Sequence, residues 1–206
     1  MEPKWLAWAR EIQAIAQTGL AFSPALYDRE RYERLRTIAA EMLAGPSGAD
    51  PAFVENLFAG ESGYATPKID VRGAVFRDGK ILLVRERADA GRWTLPGGWA
   101  DVNRSPSEAV ITEVREEAGL DVRPAKLAAL HDRRLHPHPP LPFHIYKLFF
   151  LCEITGGTPT AGSETEGVDF FAPNAIPELS TSRVLASQIA RMFAHHASPD
   201  LPTEFD

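Results

Sequence analysis

"GGWADVNRSPSEAVITEVREEAGL", residues 97–120, decides the fold. Two adjacent glycines open the stretch. Ser105, Pro106 and Glu108 then stand as N-cap, first helical residue and capping-box partner, so a helix starts at Pro106 and runs to about Ala118, with Gly119 as its stop. Ala109, Val110, Val114 and Ala118 make its apolar face, which directs Glu113, Glu116 and Glu117 elsewhere, near the C-terminal end. There the helix dipole disfavours anions by roughly 0.3–1 kcal/mol each. Like charges at these spacings add roughly 0.2–0.5 kcal/mol apiece. One reading is a solvated acidic face partly offset by Arg115. The other is a missing cationic partner: the glycines allow a ligand to approach main-chain carbonyls. All the donors are then oxygens, which suits a hard cation such as Mg2+ better than zinc.

Outward from this helix the period of the apolar residues changes. From Lys68, Ile69, Val71, Gly73 and Val75 alternate with Asp70, Arg72, Ala74 and Phe76, and Asp78-Gly79 supplies a hairpin turn before "ILLVRE". "VRPAKLAALHDRRL", "HIYKLFFLCEI" and "EGVDFFA" read as further strands. The second of these is a near-continuous apolar run suited to a sheet covered on both faces. "STSRVLASQIARMFAHHA" reads as a closing amphipathic helix with Val184, Ile189 and Met192 on one side. Strands with two separated helices imply an α/β sandwich.

The first sixty or so residues read as a small all-α N-terminal domain, residues 1–62, linked through "GESGYATP" to a main domain over 67–206. Trp5, Trp8, Ile12 and Ile15 mark a first helix ending at Gly19. Asp28 is the expected N-cap of a second helix with the stripe Tyr32, Leu35, Ile38, Ala39 and Met42, and "PAFVENLF" is a short third. These stripes exceed what so small a unit covers alone, so a homodimer interface is expected.

The 206 residues, 44% hydrophobic, suffice for one ordinary domain and a small appendage. A net charge of −6 argues against a nonspecific nucleic-acid partner. The apolar runs are too short for a membrane helix and the start carries no small-residue cleavage site, so a cytoplasmic protein is expected. The single cysteine, Cys152, reads as a buried strand residue.

The glycine-to-glutamate stretch resembles the Nudix box: a glycine, five residues, a glutamate, seven residues, then Arg-Glu-aliphatic-any-Glu-Glu-any-Gly-aliphatic. Gly98, Glu113, Val114, Glu116, Glu117, Gly119 and Leu120 fit at the right spacing. Arg104 stands at the first acidic position and Thr112 at the arginine. The resemblance implies a Nudix-type α/β/α sandwich with a mixed sheet, holding Mg2+ or Mn2+ through Glu113, Glu116, Glu117 and the Gly97 carbonyl. It implies hydrolysis of a nucleoside diphosphate linked to some group X. The helical N-terminus is similar to that of a bacterial Nudix group with CDP-choline and ADP-ribose pyrophosphatases, which makes those the leading substrates. A non-catalytic binding or sensing module and a triphosphate-sanitising hydrolase are the alternatives.

In related pyrophosphatases a catalytic base often comes from a later loop, and the resemblance therefore points to Glu164 and Glu166, in "GSETEGVDFF", which otherwise form a plain acidic loop. Other candidates come from the residues themselves. Arg72, Arg85 and Arg87 could meet phosphate from the hairpin. Trp93 and Trp99 flank the glycines, where either could stack on a base or pack. His136 and His138 lie beside a proline run that reads as a rigid loop, a substrate-facing lid or an incomplete zinc site.

Overall fold

In the computed structural model, which describes residues 3–206, the chain forms two compact units. One runs to Lys68 and includes Pro140–His144. The other comprises Ile69–Pro139 and Ile145–Asp206.

The first unit is three helices: α1 (Lys4–Phe22), α2 (Leu26–Ser47) and α3 (Pro51–Ala59). Asp50 starts α3 by accepting a hydrogen bond from the Ala52 N–H, with Pro51 in the first helical position. Small residues make the core: Ala9, Ala39, Ala40 and Ala44 let the helices approach, and Leu6, Leu43, Val54 and Phe58 fill what remains. That close approach corrects the expected stripe. The buried face of α1 is Leu6, Ala9, Gln13 and Ala16, whereas Trp8 and Ile15 are 56% and 52% exposed. Gly19 is no stop either. The helix continues to Phe22, and the glycine makes room for Tyr32, whose ring atoms would lie 2.4 Å from a Cβ there. Nor is Asp28 the cap of α2: the helix begins two residues earlier, and the aspartate sits in its first turn, paired with Arg31 at 2.8 Å.

The second unit is built on a mixed sheet. β1 (Lys68–Arg77) and β2 (Lys80–Glu86) form the expected hairpin, with Asp78 and Gly79 both at positive φ (51° and 70°) as the tight turn requires. β3 (Trp93–Thr94) and β6 (Thr165–Phe171) pair antiparallel with β2. β5 (Ile145–Gly157) lies beside β1 and pairs antiparallel with β4 (Leu120–Asp132), and β7 (Glu204–Phe205) adds a parallel edge to β4. α4 (Pro106–Ala118) packs on one face through Val110 and Val114 against Val71, Val75, Leu120 and Phe150. α5 (Ala186–Ala197) packs on the other through Ile189 and Met192 against Ala74, Leu83 and Phe149. Both faces are therefore covered, which is why β5 reads as one apolar run. α5 starts later than its Ser/Thr-rich lead suggested: Val184 precedes the helix, and Gln188 Oε1 accepts from the Leu185 N–H at 3.0 Å. Cys152 is buried, and burial raises its thiol to about 12, so it stays an inert packing group. No helix among the described residues is long and apolar enough to cross a membrane.

Candidate active site

α4 starts as its sequence dictates: Ser105 Oγ accepts from the Glu108 N–H and the Glu108 carboxylate from the Ser105 N–H, closing the capping box. It ends on Gly119 in the left-handed conformation. Its last carbonyls are taken by the segment leading into β6 and by the first residue of that strand. Thr165 Oγ1 donates to Glu117 O at 2.9 Å, Thr160 N to Ala118 O and Thr158 N to Gly119 O. Gly162 passes so close that a Cβ would stand 1.9 Å from Glu116 O. This clamp brings Glu164 up to the acidic helix end.

The glycine loop is fixed from β1. Gly73 N donates to Pro96 O and Val71 N to Gly98 O, both at 2.8 Å, which leaves the Gly97 carbonyl outside that pairing. Gly97 has φ 147°, and a Cβ on it would fall 2.0 Å from Val71 O, so no side chain fits. Its N–H donates to Glu117 Oε2 at 2.8 Å. A Cβ on Gly98 would meet Glu113 Oε2 at 3.0 Å. Loop and glutamates thus converge. Glu117 is buried, Glu113 half-buried and Glu116 exposed.

Burial raises the Glu113 carboxyl to about 7, with Arg72 opposing and the charges of Glu116, Glu164 and Asp70 adding to the rise. Burial raises Glu117 to about 8, against Arg72 and the Gly97 N–H and with Glu86 and Glu113. The opposing charge of Arg72 does not offset burial at either glutamate. Among the described residues no three His, Cys, Asp or Glu side chains are gathered closely enough to hold a metal ion as they stand. Both raised carboxyls favour the fold while protonated, a contribution complete below their ordinary 4.5 and lost as pH rises through about 7 and about 8. In chelator, the melting temperature should fall between about pH 5.5 and about pH 8.5, and added Mg2+ should raise it most at the upper end. A Mg2+ effect that is flat or shrinks over that range would contradict this electrostatic reading.

The buried cation facing the glutamates is Arg72. Its guanidinium grips Asp70 twice, Nε to Oδ1 at 3.0 Å and Nη2 to Oδ2 at 2.7 Å, and donates from Nη1 to Leu95 O at 3.1 Å. Lys147 Nζ adds a bond to Asp70 Oδ1 at 2.6 Å. Burial alone would raise the Asp70 carboxyl; the two cations overcome it and lower it to about 2. Arg72 is thus committed inside the protein rather than displayed on the hairpin. Asp70 and Lys147 were missed from sequence, though charges at buried strand positions, Lys147 within "IYKLFFL" above all, were the available signal.

The remaining candidates separate. Arg85 is exposed and donates to Gly91 O at 3.0 Å, with Glu166 at 3.2 Å, so these two neutralise each other while Glu164 adds its charge to the field at Glu113. Trp99 is 49% exposed beside the glycine loop, its backbone bridged to Asp70. Trp93 packs edge-on against Phe171 at 4.8 Å. His136 meets Asp206 at 3.1 Å, and His138 meets Thr181 O at 2.7 Å and Gln188 at 3.3 Å, so both are engaged with α5 and the segments around it rather than with the glutamates. Burial lowers His138 to about 4, leaving it neutral. Arg104 and Thr112, the two departures from the motif, touch: Nη1 donates to Oγ1 at 2.9 Å on the exposed side of α4.

Comparison with known proteins matches two parts of the chain. Residues 67–192 match the NUDIX domain, and residues 3–58 match a family described as a UDP-X-like, N-terminal oligomerisation domain. YjhB of Bacillus subtilis (strain 168), named as a candidate ADP-ribose pyrophosphatase, is 48% identical over 206 residues, covering 100% of this chain and 99% of that protein. A crystal structure of a UDP-X diphosphatase is 32% identical and covers 98% of each chain with a TM-score of 0.63. An ADP-ribose pyrophosphatase structure from Streptococcus suis is 38% identical, covering 68% of this chain and 100% of its own, with a TM-score of 0.60.

Proposed function

Since the chain belongs to the Nudix hydrolase family, we propose that it cleaves the diphosphate bridge of a nucleoside diphosphate linked to X, giving a nucleoside monophosphate and phospho-X. The observation that carries this reading is the convergence of the glycine loop and the glutamates: the Gly97 N–H on Glu117 at 2.8 Å, and Glu113 against Gly98. The donor set fits a hard divalent cation, being oxygen throughout and electrostatically short of positive charge. Glu113, Glu116, Glu117 and the Gly97 carbonyl would hold Mg2+ or Mn2+, which supplies charge neutralisation at the nonbridging phosphate oxygens and Lewis acidity toward the attacking water.

The chain's own residues do the rest. Glu164, held at the helix end by its neighbour Thr165, accepts the proton of the attacking water; Glu166, paired with Arg85, does not compete for it. Arg72 positions the loop through Leu95 O and keeps a positive field on Glu113 and Glu117. Trp99 offers a ring face to the nucleobase.

For the substrate, ADP-ribose comes first because it appears in the names of two relatives, and UDP-linked compounds come second; CDP-choline completes the panel. Initial rates on these three and on an oxidised deoxynucleoside triphosphate should favour an NDP-X compound. Faster turnover of the triphosphate than of every NDP-X tested would reassign the enzyme to nucleotide-pool sanitation.

We further propose that α1 pairs the protein into a homodimer. Trp8, Ile15 and Phe22 recur every seven residues along one exposed stripe, 56%, 52% and 67% exposed, with Leu26 and Tyr27 beyond its end. Light scattering should give a dimer at micromolar concentration and a monomer for Trp8→Glu with Ile15→Glu. A monomeric parent chain, or a variant that stays dimeric, would remove this interface.

A further inference from the structure

The helical unit has a half-open pocket of about 230 Å3 between the C-terminal half of α1, the N-terminal half of α2 and the end of α3. Gln13 lines it from α1, in the buried row Leu6, Ala9, Gln13, Ala16, where the helical repeat calls for an apolar side chain. It is 7% exposed, yet neither its Oε1 nor its Nε2 has a hydrogen-bond partner. Arg36 lines the same cavity from α2, and its buried Nε is unpaired as well. Of the other polar groups lining it, Gln17 Nε2 donates to Gly63 O at 3.3 Å, Arg29 Nη1 donates to Leu20 O at 2.6 Å and Glu61 pairs with Lys68 at 2.8 Å, while Glu33 lies on the exposed side of α2. Buried donors and acceptors in folded proteins are nearly always satisfied, by protein or by water, and two side chains with unmet capacity in one cavity offer a small polar molecule a set of ready hydrogen-bond partners.

The unmet groups specify its chemistry. A carboxylate would satisfy the Gln13 donor and strand its acceptor, and an ammonium would do the reverse. A group with N–H beside C=O satisfies both, and a second carbonyl on the far side of that N–H takes the Arg36 Nε–H. Leu20 and Phe58 give the cavity apolar wall for a ring face. Its volume is below the ~300–1,000 Å3 of sites for drug-sized ligands, which suits a single ring.

We propose that this cavity binds a small planar ring with an imide edge, of pyrimidine-dione type, in a unit that holds none of the catalytic glutamates. The site does not depend on the reaction assigned above. The probe is 1-methyluracil, which keeps one imide edge, and its control is 1,3-dimethyluracil, in which that N–H is methylated. Amide NMR spectra of the full chain should show saturable shifts at Gln17, Phe58 and Gly63 with 1-methyluracil, and the dimethyl control should bind at least ~10-fold more weakly. Gln13→Leu should abolish these shifts while leaving Mg2+-dependent turnover unchanged. Arg36→Lys, which keeps the charge and loses the Nε–H, should weaken binding and serves if the leucine variant misfolds. Equal binding of the two probes, no saturable shift at millimolar probe, or shifts confined to Gly97, Gly98 and α4 would overturn the proposal.

Discussion

Glu117→Gln is expected to lower Mg2+-dependent hydrolysis at least ~100-fold, because it removes a charge from the ligand set proposed for the cation with little change of shape. The amide oxygen of the new side chain can still accept the Gly97 N–H that Glu117 holds at 2.8 Å. Since burial already raises Glu117 to about 8, the metal-free wild type near neutral pH largely carries the protonated form that glutamine mimics. The variant should therefore melt no lower than wild type in chelator, and its melting temperature should respond less to Mg2+. Wild-type turnover in the variant, together with chelator-insensitive activity, would rule out the glutamate cluster as the catalytic centre.

The second large effect is on stability. Arg72→Ala should cost about 3–5 kcal/mol, the range for breaking a buried ion pair by removing one partner, with Lys147 holding the loss toward the lower end. Asp70 would lose two hydrogen bonds, and the Leu95 carbonyl its donor. Activity should fall beyond what lost folding explains, since Arg72 also opposes the rise of both Glu113 and Glu117. Urea unfolding read beside turnover of the folded fraction checks both parts. A loss under about 1 kcal/mol would mean that the pair is structurally dispensable.

What could be read in the sequence was what local chemistry decides. The capping box at Ser105, the stop at Gly119 and the turn at Asp78-Gly79 depend on residues within a few positions of one another, and each stands where its residues imply. The approach of Glu113 and Glu117 to the glycine loop was legible for a related reason, because one amphipathic helix fixed which way the carboxylates could not point. Burial between elements was not legible. Trp8 and Ile15 look like core residues until alanines on α1 and α2 bring the helices close enough to leave them outside. The Asp70–Lys147 pair joins strands 77 residues apart, so nothing near either residue announces the other. Thr165 is an unremarkable threonine at the start of β6 until the C-terminal carbonyl of α4 needs a donor.

The most direct test of the catalytic assignment is product analysis of ADP-ribose hydrolysis in ¹⁸O-water, with Mg2+ and with chelator. The account predicts AMP and ribose 5-phosphate as the products with Mg2+, the label on one of the two phosphates, and no products with chelator. Release of inorganic phosphate or pyrophosphate in place of the two monophosphates, or equal product formation in chelator, would contradict it.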